Sequence, residues 1–348
     1  MSVALITGST GLIGSESSLF FLNKGFKVIG IDNNLRKTFF GSDGDTSWIK
    51  NKLVKNKNYS HYNCDIRNPI AIRKIFSKYK KNISIVIHAA AQPSHDYAKD
   101  NLHLDFKVNA EGTLNIFYNI QKFCPDSKVI FLSTNKVYGD NPNKIKLIEK
   151  KTRFSPTHNS PYKNGFDEKF NIDNATHSFF GVSKLYGDLL AQEFGKNYGL
   201  KIGIFRAGCL TGPNHSGAGL HGFLSYLVKT CLLKKSYNII GYKGKQVRDN
   251  LHSNDLINSF WEFIKKPKYG EVYNIGGGLR SNCSILEAIN YVESRVGIEV
   301  KIKYTKKNRV GDHIWYISDI SKFKKDYPKW KVAHTSESII DDIIDKYK

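Results

Sequence analysis

Gly8, Gly11 and Gly14 follow the apolar run Val3-Ala4-Leu5-Ile6-Thr7 at a regular spacing of three residues. The first glycine permits a sharp turn, the second lets the backbone approach a phosphate, and the third lets a helix pack closely on a strand. Leu12 and Ile13 lie within the turn, and Leu19, Phe20 and Leu22 supply an apolar helix face beyond it. The start of that helix aims N–H groups and a positive dipole end at any bound anion. A second apolar run at 27–31 ends in Asp32. A carboxylate there accepts hydrogen bonds from ribose hydroxyls and repels a 2′-phosphate. This is the chemistry of a dinucleotide site, with NAD favoured over NADP. Asn33 borders it, while Arg36 and Lys37 weaken the preference.

The elements that must position these residues alternate along the chain. Further strands are predicted at 59–63, 84–88, 128–133, 201–206 and 271–275. Helices are predicted at 69–79, opened by Pro69, at 104–123 and at 220–233, with a short one around Trp48 in the polar stretch after Asp32. Asp65 and Ile66 follow the third strand, where a carboxylate is placed to meet an adenine amino group. Ala89, Ala90 and Ala91 follow the fourth and let the chain pass beneath a flat cofactor. Asn109 falls within the 104–123 helix. Such alternation predicts an α/β fold, a Rossmann-type doubly wound parallel sheet with right-handed crossovers and ligands beyond the carboxyl ends of its strands. After about Ala207 the pattern is less regular and implies a small C-terminal substrate-binding lobe. The expected division is a dinucleotide-binding domain over 1–206, its sheet completed by the strand at 271–275, and a lobe over 207–348.

The bulk numbers bound the remaining possibilities. A chain of 348 residues with 40% hydrophobic content can bury a sizeable core. No apolar run reaches the roughly 18 residues of a membrane span, and no secretory signal is expected before the first strand. A cytoplasmic location is expected. The formal charge of +22 is spread along the chain and not gathered into a nucleic-acid-binding signature. A positive field also attracts an anionic small substrate. The five cysteines are far apart and lack a C-x-x-C, so neither a disulfide framework nor a metal site is indicated.

Together these features resemble the extended short-chain dehydrogenase/reductase superfamily over nearly the whole chain. Within it the chain looks most like the CDP-paratose 2-epimerase (CDP-tyvelose 2-epimerase) group. The stretches that carry this are 133–140 (Ser-Thr-Asn-Lys-Val-Tyr-Gly-Asp), 244–249 (Gly-Lys-Gln-Val-Arg-Asp), 164–168 and 274–277. The resemblance implies retained NAD, a CDP-linked deoxysugar, and inversion at C2 through a transient keto sugar. It also implies pairing of two copies through the helices near 104–123 and 180–198. Ser133, with Thr134 beside it, would bond the reacting oxygen. Lys184 would orient the cofactor and assist proton transfer. Arg248 would grip the pyrophosphate bidentately, unless it is held in an ion pair with Asp249 or Asp255. His95, Asn135, Lys136 and Asn214 are candidate substrate contacts, and Arg309 is a second phosphate or ribose candidate. The acid and base that a 4,6-dehydratase needs after the serine are replaced by Asn135 and Lys136. A 4-epimerase, or a non-catalytic nucleotide-sugar binder, remains a rival.

One position departs from the superfamily pattern. Its proton-transfer pair is Tyr-x-x-x-Lys, and four residues before Lys184 stands Phe180. Phenylalanine keeps the ring but cannot donate or accept a proton. Three readings stand open: an engineered Tyr→Phe change, another base with Tyr138, His177 or Asp167 as candidates, or a chain that no longer turns over.

Overall fold

The computed structural model describes residues 2–218, 221–309 and 311–347. Cα proximity divides the chain into two compact units. Unit 1 takes 1–134, 179–206 and 257–273, and unit 2 takes 135–178, 207–256 and 274–348. Residues 135–178, expected within the first domain, belong to unit 2.

Unit 1 is built on a seven-stranded sheet. Its strands are β1 (Val3–Thr7), β2 (Lys27–Ile31), β3 (Tyr59–Tyr62), β4 (Ile83–His88), β5 (Lys128–Thr134), β6 (Lys201–Ala207) and β7 (Glu271–Ile275). Their spatial order is β7-β6-β5-β4-β1-β2-β3. The pairs β1–β2, β1–β4, β2–β3 and β4–β5 run parallel. The order reverses beside β1, the usual switch point for a ligand in an open α/β sheet. Central strands carry continuous apolar runs because both faces are covered. Val3, Leu5, Ile29, Val86, Val129 and Ile204 contribute to one buried cluster.

Helix α1 (Leu12–Asn23) follows the glycine turn, and α2 (Pro69–Tyr79) begins behind Asn68, whose side chain accepts from the Ala71 amide. The helix expected at 104–123 is interrupted. Leu102–Phe106 leads into a π-helical turn at Lys107–Glu111, and only then does α3 (Gly112–Phe123) begin. The cause is local. The Thr113 hydroxyl bonds back to the Asn109 carbonyl at 2.7 Å, and the Asn109 side chain turns aside to the backbone of Gln92. Such turns are over-represented at functional sites. Helix α4 (Phe179–Tyr198) closes this layer.

Unit 2 is organised around the strand Val247–His252. It pairs antiparallel with Asn282–Ser284 and parallel with Trp315–Tyr316 and Cys209–Thr211. Tyr237–Ile240 pairs separately with Ile302–Thr305. Helices Phe223–Leu232, Ile285–Val296 and Ser336–Tyr347 enclose a second apolar cluster containing Leu227, Ile289 and Ile340. The expected start of the first of these at Leu220 lies outside the described residues. All five cysteines are free thiols.

Candidate active site

The dinucleotide cradle lies in unit 1. Gly8 has φ +66°, and a Cβ there would stand 2.8 Å from the Ala90 backbone, so the turn and the alanine run are in direct apposition. A Cβ on Gly14 would stand only 1.9 Å from the Gly8 carbonyl oxygen. Gly11 is the open member, where a Cβ would meet only that carbonyl at 3.4 Å. Gly11 also caps α1 without any side-chain hydrogen bond, leaving space at the helix N-terminus. A side chain on Gly11 would fill the approach that a pyrophosphate needs, so the residues present fit a dinucleotide.

Asp32 is held at the end of β2 by two amides. Its carboxylate accepts from Thr10 N at 2.9 Å and from Asn34 N at 2.7 Å. Asn33 donates to Asp65 at 3.0 Å, which links the ends of β2 and β3. The Asp65 carboxylate accepts from the amide and both guanidinium arms of Arg67 as well. These four bonds make the carboxylate a tie between the two loops. Ile66 is buried beneath α3, where a Cβ on Gly112 would touch it. The Arg36 guanidinium folds over the Phe40 ring at 4.7 Å.

A buried chain of hydrogen bonds connects the cradle to the π turn. Ala90 N donates to Thr7 Oγ1, and Thr7 Oγ1 lies 2.7 Å from His88 Nδ1. His88 Nε2 lies 3.0 Å from Thr113 Oγ1, which donates its own proton to Asn109 O. Thr113 therefore accepts from His88 Nε2–H, and Nδ1 accepts from Thr7. Burial pushes the His88 ring well down, to about 3, with nearby Lys184 adding to the shift. His88 is thus a neutral strut.

The Asn109 amide is fully occupied. Its two N–H groups are shared among Gln92 O, Asp105 and Ser183 Oγ, and its Oδ1 accepts from Gln92 N. Asn109 therefore braces the alanine loop against α4. Gln92 extends the brace through bonds to both backbone groups of Ser94 and to Asp105.

Phe180 and Lys184 stand one turn apart on the buried face of α4. Lys184 Nζ donates to Leu132 O at 2.7 Å and lies 4.6 Å from the centre of the Phe131 ring. Burial lowers its ammonium to about 8, with Asp188 and Asp105 partly opposing the shift. Phe180 packs edge to face against His95, with ring centres 4.8 Å apart. Ser133 differs from expectation. Its hydroxyl is buried and donates to Asp188 at 2.5 Å, and the same carboxylate holds Arg206 and Gln192. Thr134 follows on β5 and is only half-buried.

The three alternative bases all lie in unit 2. Tyr138 is fully buried in unit 2, and its hydroxyl donates to Asn274 Oδ1 at 2.8 Å. His177 directs Nε2 at the Val137 carbonyl and Nδ1 at the Ala175 carbonyl. Carbonyls only accept, so the neutral ring can donate to only one of them at a time. The exposed Asp167 carboxylate accepts from the Lys169 amide.

Unit 2 brings three predicted substrate residues together. Arg248 donates to Asp312 Oδ1 at 2.5 Å, and Lys136 Nζ lies 3.9 Å from the same oxygen. Lys136 also donates to Gly311 O. Arg309 is close enough to perturb both Lys136 and Asp312 electrostatically. Burial pulls the Lys136 ammonium down to about 8, opposed by Asp312 and reinforced by Arg248. Burial alone would raise the Asp312 carboxyl, but the surrounding cations hold it far below the usual range. Three cations thus share one carboxylate, and the excess positive charge suits a diphosphate. Arg248 pairs with neither Asp249 nor Asp255. The first accepts from the Ser318 amide, and the second accepts from the amides of Ala333 and His334. Asn135 is buried. Asn214 stands apart from the cluster, accepting from Lys346 at an exposed site.

Residues 4–276 match the model of the NAD dependent epimerase/dehydratase family. The chain belongs to that family. Its cofactor is NAD, and it is an enzyme of the epimerase class. CDP-paratose 2-epimerase of Salmonella typhi is 29% identical over 325 residues, covering 91% of each chain. The dTDP-glucose 4,6-dehydratase of Escherichia coli is 26% identical over 370 residues, covering 99% of this chain and 92% of the relative. The structure of UDP-glucuronic acid 4-epimerase from Bacillus cereus, solved with UDP-glucuronic acid and NAD, superposes with a TM-score of 0.78. It is 25% identical and covers 99% of this chain and 98% of the other.

Reading from sequence missed His88, Asp105, Asp188, Arg206 and the role of Asp312. Asp188 left a signal, being a carboxylate four residues after Lys184 on the same helix face. The others become functional only through partners distant in the chain.

Proposed function

We propose that this enzyme epimerises a CDP-linked deoxysugar at C2 through a transient keto sugar. The observation that carries the nucleotide-sugar part is the cluster of Lys136, Arg248 and Arg309 around Asp312. A planar guanidinium and a nearby ammonium match the two phosphates of a nucleoside diphosphate. The likeness to CDP-paratose 2-epimerase supports the base and the carbon.

NAD, when bound, supplies reversible acceptance of a hydride. The chain supplies the rest. Asp32, with Gly8, Gly11 and Gly14, holds the adenosine and pyrophosphate end. Lys184 orients the nicotinamide ribose and brings a positive charge near the reacting oxygen. Thr134 offers the hydroxyl to that oxygen, since the Ser133 hydroxyl is committed to Asp188. Ser133 and Asp188 then hold the end of β5 in place.

Two copies of the chain associate in this reading. Leu114 and Tyr118 on α3, and Val182, Tyr186 and Leu189 on α4, are exposed apolar residues at helical spacing. A self-complementary helix face of this kind suits a two-fold interface. The free thiols and the NAD requirement suit a reducing compartment, the cytoplasm. No helix among the described residues is long and apolar enough to cross a membrane.

The decisive experiment is turnover of CDP-, UDP- and dTDP-sugars carrying deuterium at C2. Inversion at C2 of a CDP-sugar with retention of the label supports the reading. Loss of the label to water, or inversion only at C4 of another nucleotide sugar, removes it.

A further inference from the structure

The geometry points to His95 as the proton-transfer residue that takes over from the tyrosine hydroxyl absent at Phe180. The inference rests on the epimerase reading above and deepens it.

Three observations converge within unit 1. Phe180 occupies the proton-transfer position, one turn before Lys184, with no ionisable atom. The imidazole of His95 is the ring that meets it, edge to face at 4.8 Å. A ring in contact with Phe180 can place a nitrogen near the point where a tyrosine would carry its oxygen. The loop that presents His95 is also fixed in advance. Gln92 is fully buried, accepts from Ser94 N, and donates to Ser94 O and Asp105. Ser94 in turn accepts the Tyr97 amide and caps the short helix His95–Asp100. Catalytic groups work when their supports are locked in this way.

The neighbouring groups do not substitute for it. Lys184 already donates to Leu132 O. Asp105 is buried and accepts from Gln92 and Asn109. Tyr138 and His177 hold the hydrogen bonds described above. An imidazole is also the side chain whose ordinary titration lies nearest neutral pH, where a shuttle between acid and base is most effective.

The step balances as follows. A ring nitrogen of His95 would take the hydroxyl proton as the C2–H electron pair leaves as hydride for the NAD that the family uses and the C2=O bond forms. On the return, the imidazolium gives that proton back to oxygen as hydride re-adds to the other face of C2. His95 ends neutral, and no other oxidant or reductant is consumed.

The test uses His95→Gln, Phe180→Tyr and the double variant, each as full-length protein with its cofactor. His95→Gln is expected to lower kcat by about 10²–10⁴, while nucleotide-sugar affinity changes only a few-fold. The acidic limb of the pH profile should vanish in that variant. Adding Phe180→Tyr should restore part of the rate, because a tyrosine beside Lys184 can do the same work. Independently of turnover, the His95 ring resonances should shift when nucleotide sugar is added. An unchanged kcat, a loss confined to affinity, or a resonance indifferent to every nucleotide sugar overturns the proposal. Failure of the CDP assignment alone is distinguishable. The resonance and the His95→Gln defect would then follow a UDP- or dTDP-sugar in place of a CDP-sugar.

Discussion

Arg206 and Asp188 form a bidentate ion pair that is almost wholly removed from water. Arg206 Nε donates to one carboxylate oxygen at 3.0 Å and a terminal nitrogen to the other at 2.9 Å. The side chains are 5% and 0% exposed. Ser133 and Gln192 complete the acceptor capacity of the carboxylate. The pair thereby ties β5, β6 and α4 into one rigid corner beneath Thr134 and Lys184.

Asp188→Ala should therefore destabilise the protein by about 3–5 kcal/mol, because it strands a buried guanidinium. Replacing both partners with apolar residues of similar volume should cost far less. Thermal unfolding of the single and double variants measures the difference. Equal losses in both would mean that packing, and not the unpaired charge, sets the effect.

Denatured protein should release NAD and not NADP, as identified by mass. Asp32→Ala should weaken NAD binding, since two ribose hydrogen bonds to a charged acceptor are lost, each worth about 1.5–3 kcal/mol. Asp32 also orders the turn through the Thr10 and Asn34 amides. Asp32→Asn should accordingly keep the fold better than the alanine variant while still weakening NAD binding, which titration of NAD into stripped protein would show.

Nucleotide-sugar binding should take up protons near pH 8. The Lys136 ammonium sits at about 8 in the unliganded protein. An arriving diphosphate favours its charged form and raises that value. At pH 8 roughly half a proton should be absorbed per molecule bound, falling towards zero at pH 6. Calorimetry in buffers of different ionisation enthalpy measures this directly. Lys136→Met should abolish the uptake, and Arg248→Lys should weaken affinity while leaving the uptake in place.

Acid should destabilise the fold through His88. Its native value is about 3, against 6.5 for an unperturbed imidazole. Below pH 6.5 the unfolded chain binds a proton that the native ring refuses, so stability falls as pH drops from about 6.5 towards 3. The loss amounts to a few kcal/mol. Replacing His88 with Gln should remove about one proton from the slope of unfolding free energy against pH in that window. An unchanged slope would assign the acid sensitivity to other groups.

These features differ in how plainly the sequence announces them. The glycine turn, the end of β2 at Asp32 and the helix opened by Pro69 are local patterns, and the structure reproduces them with little shift. Lys136, Arg248 and Arg309 were named singly. Their meeting at Asp312 depends on the pairing of the strand at Val247–His252 with Trp315–Tyr316, far along the chain. The π turn at Lys107–Glu111 was not legible, because apolar periodicity continues across it. Asn109 within it is bonded to Gln92, a partner that no helical pattern records. The commitment of Ser133 to Asp188 was hidden for the same reason.

The position of β7 at the edge of the unit 1 sheet sets an order of events during synthesis. Its neighbour β6 ends at Ala207, but β7 begins only at Glu271. While the intervening chain emerges from the ribosome, β6 presents an unpaired and largely apolar edge. Such an edge can recruit a strand from another nascent chain. Translation pauses or chaperone capture in the stretch between 207 and 271 would therefore govern yield more strongly than equal delays elsewhere. A truncated product ending before β7 would keep every residue of the dinucleotide cradle and still be prone to aggregate.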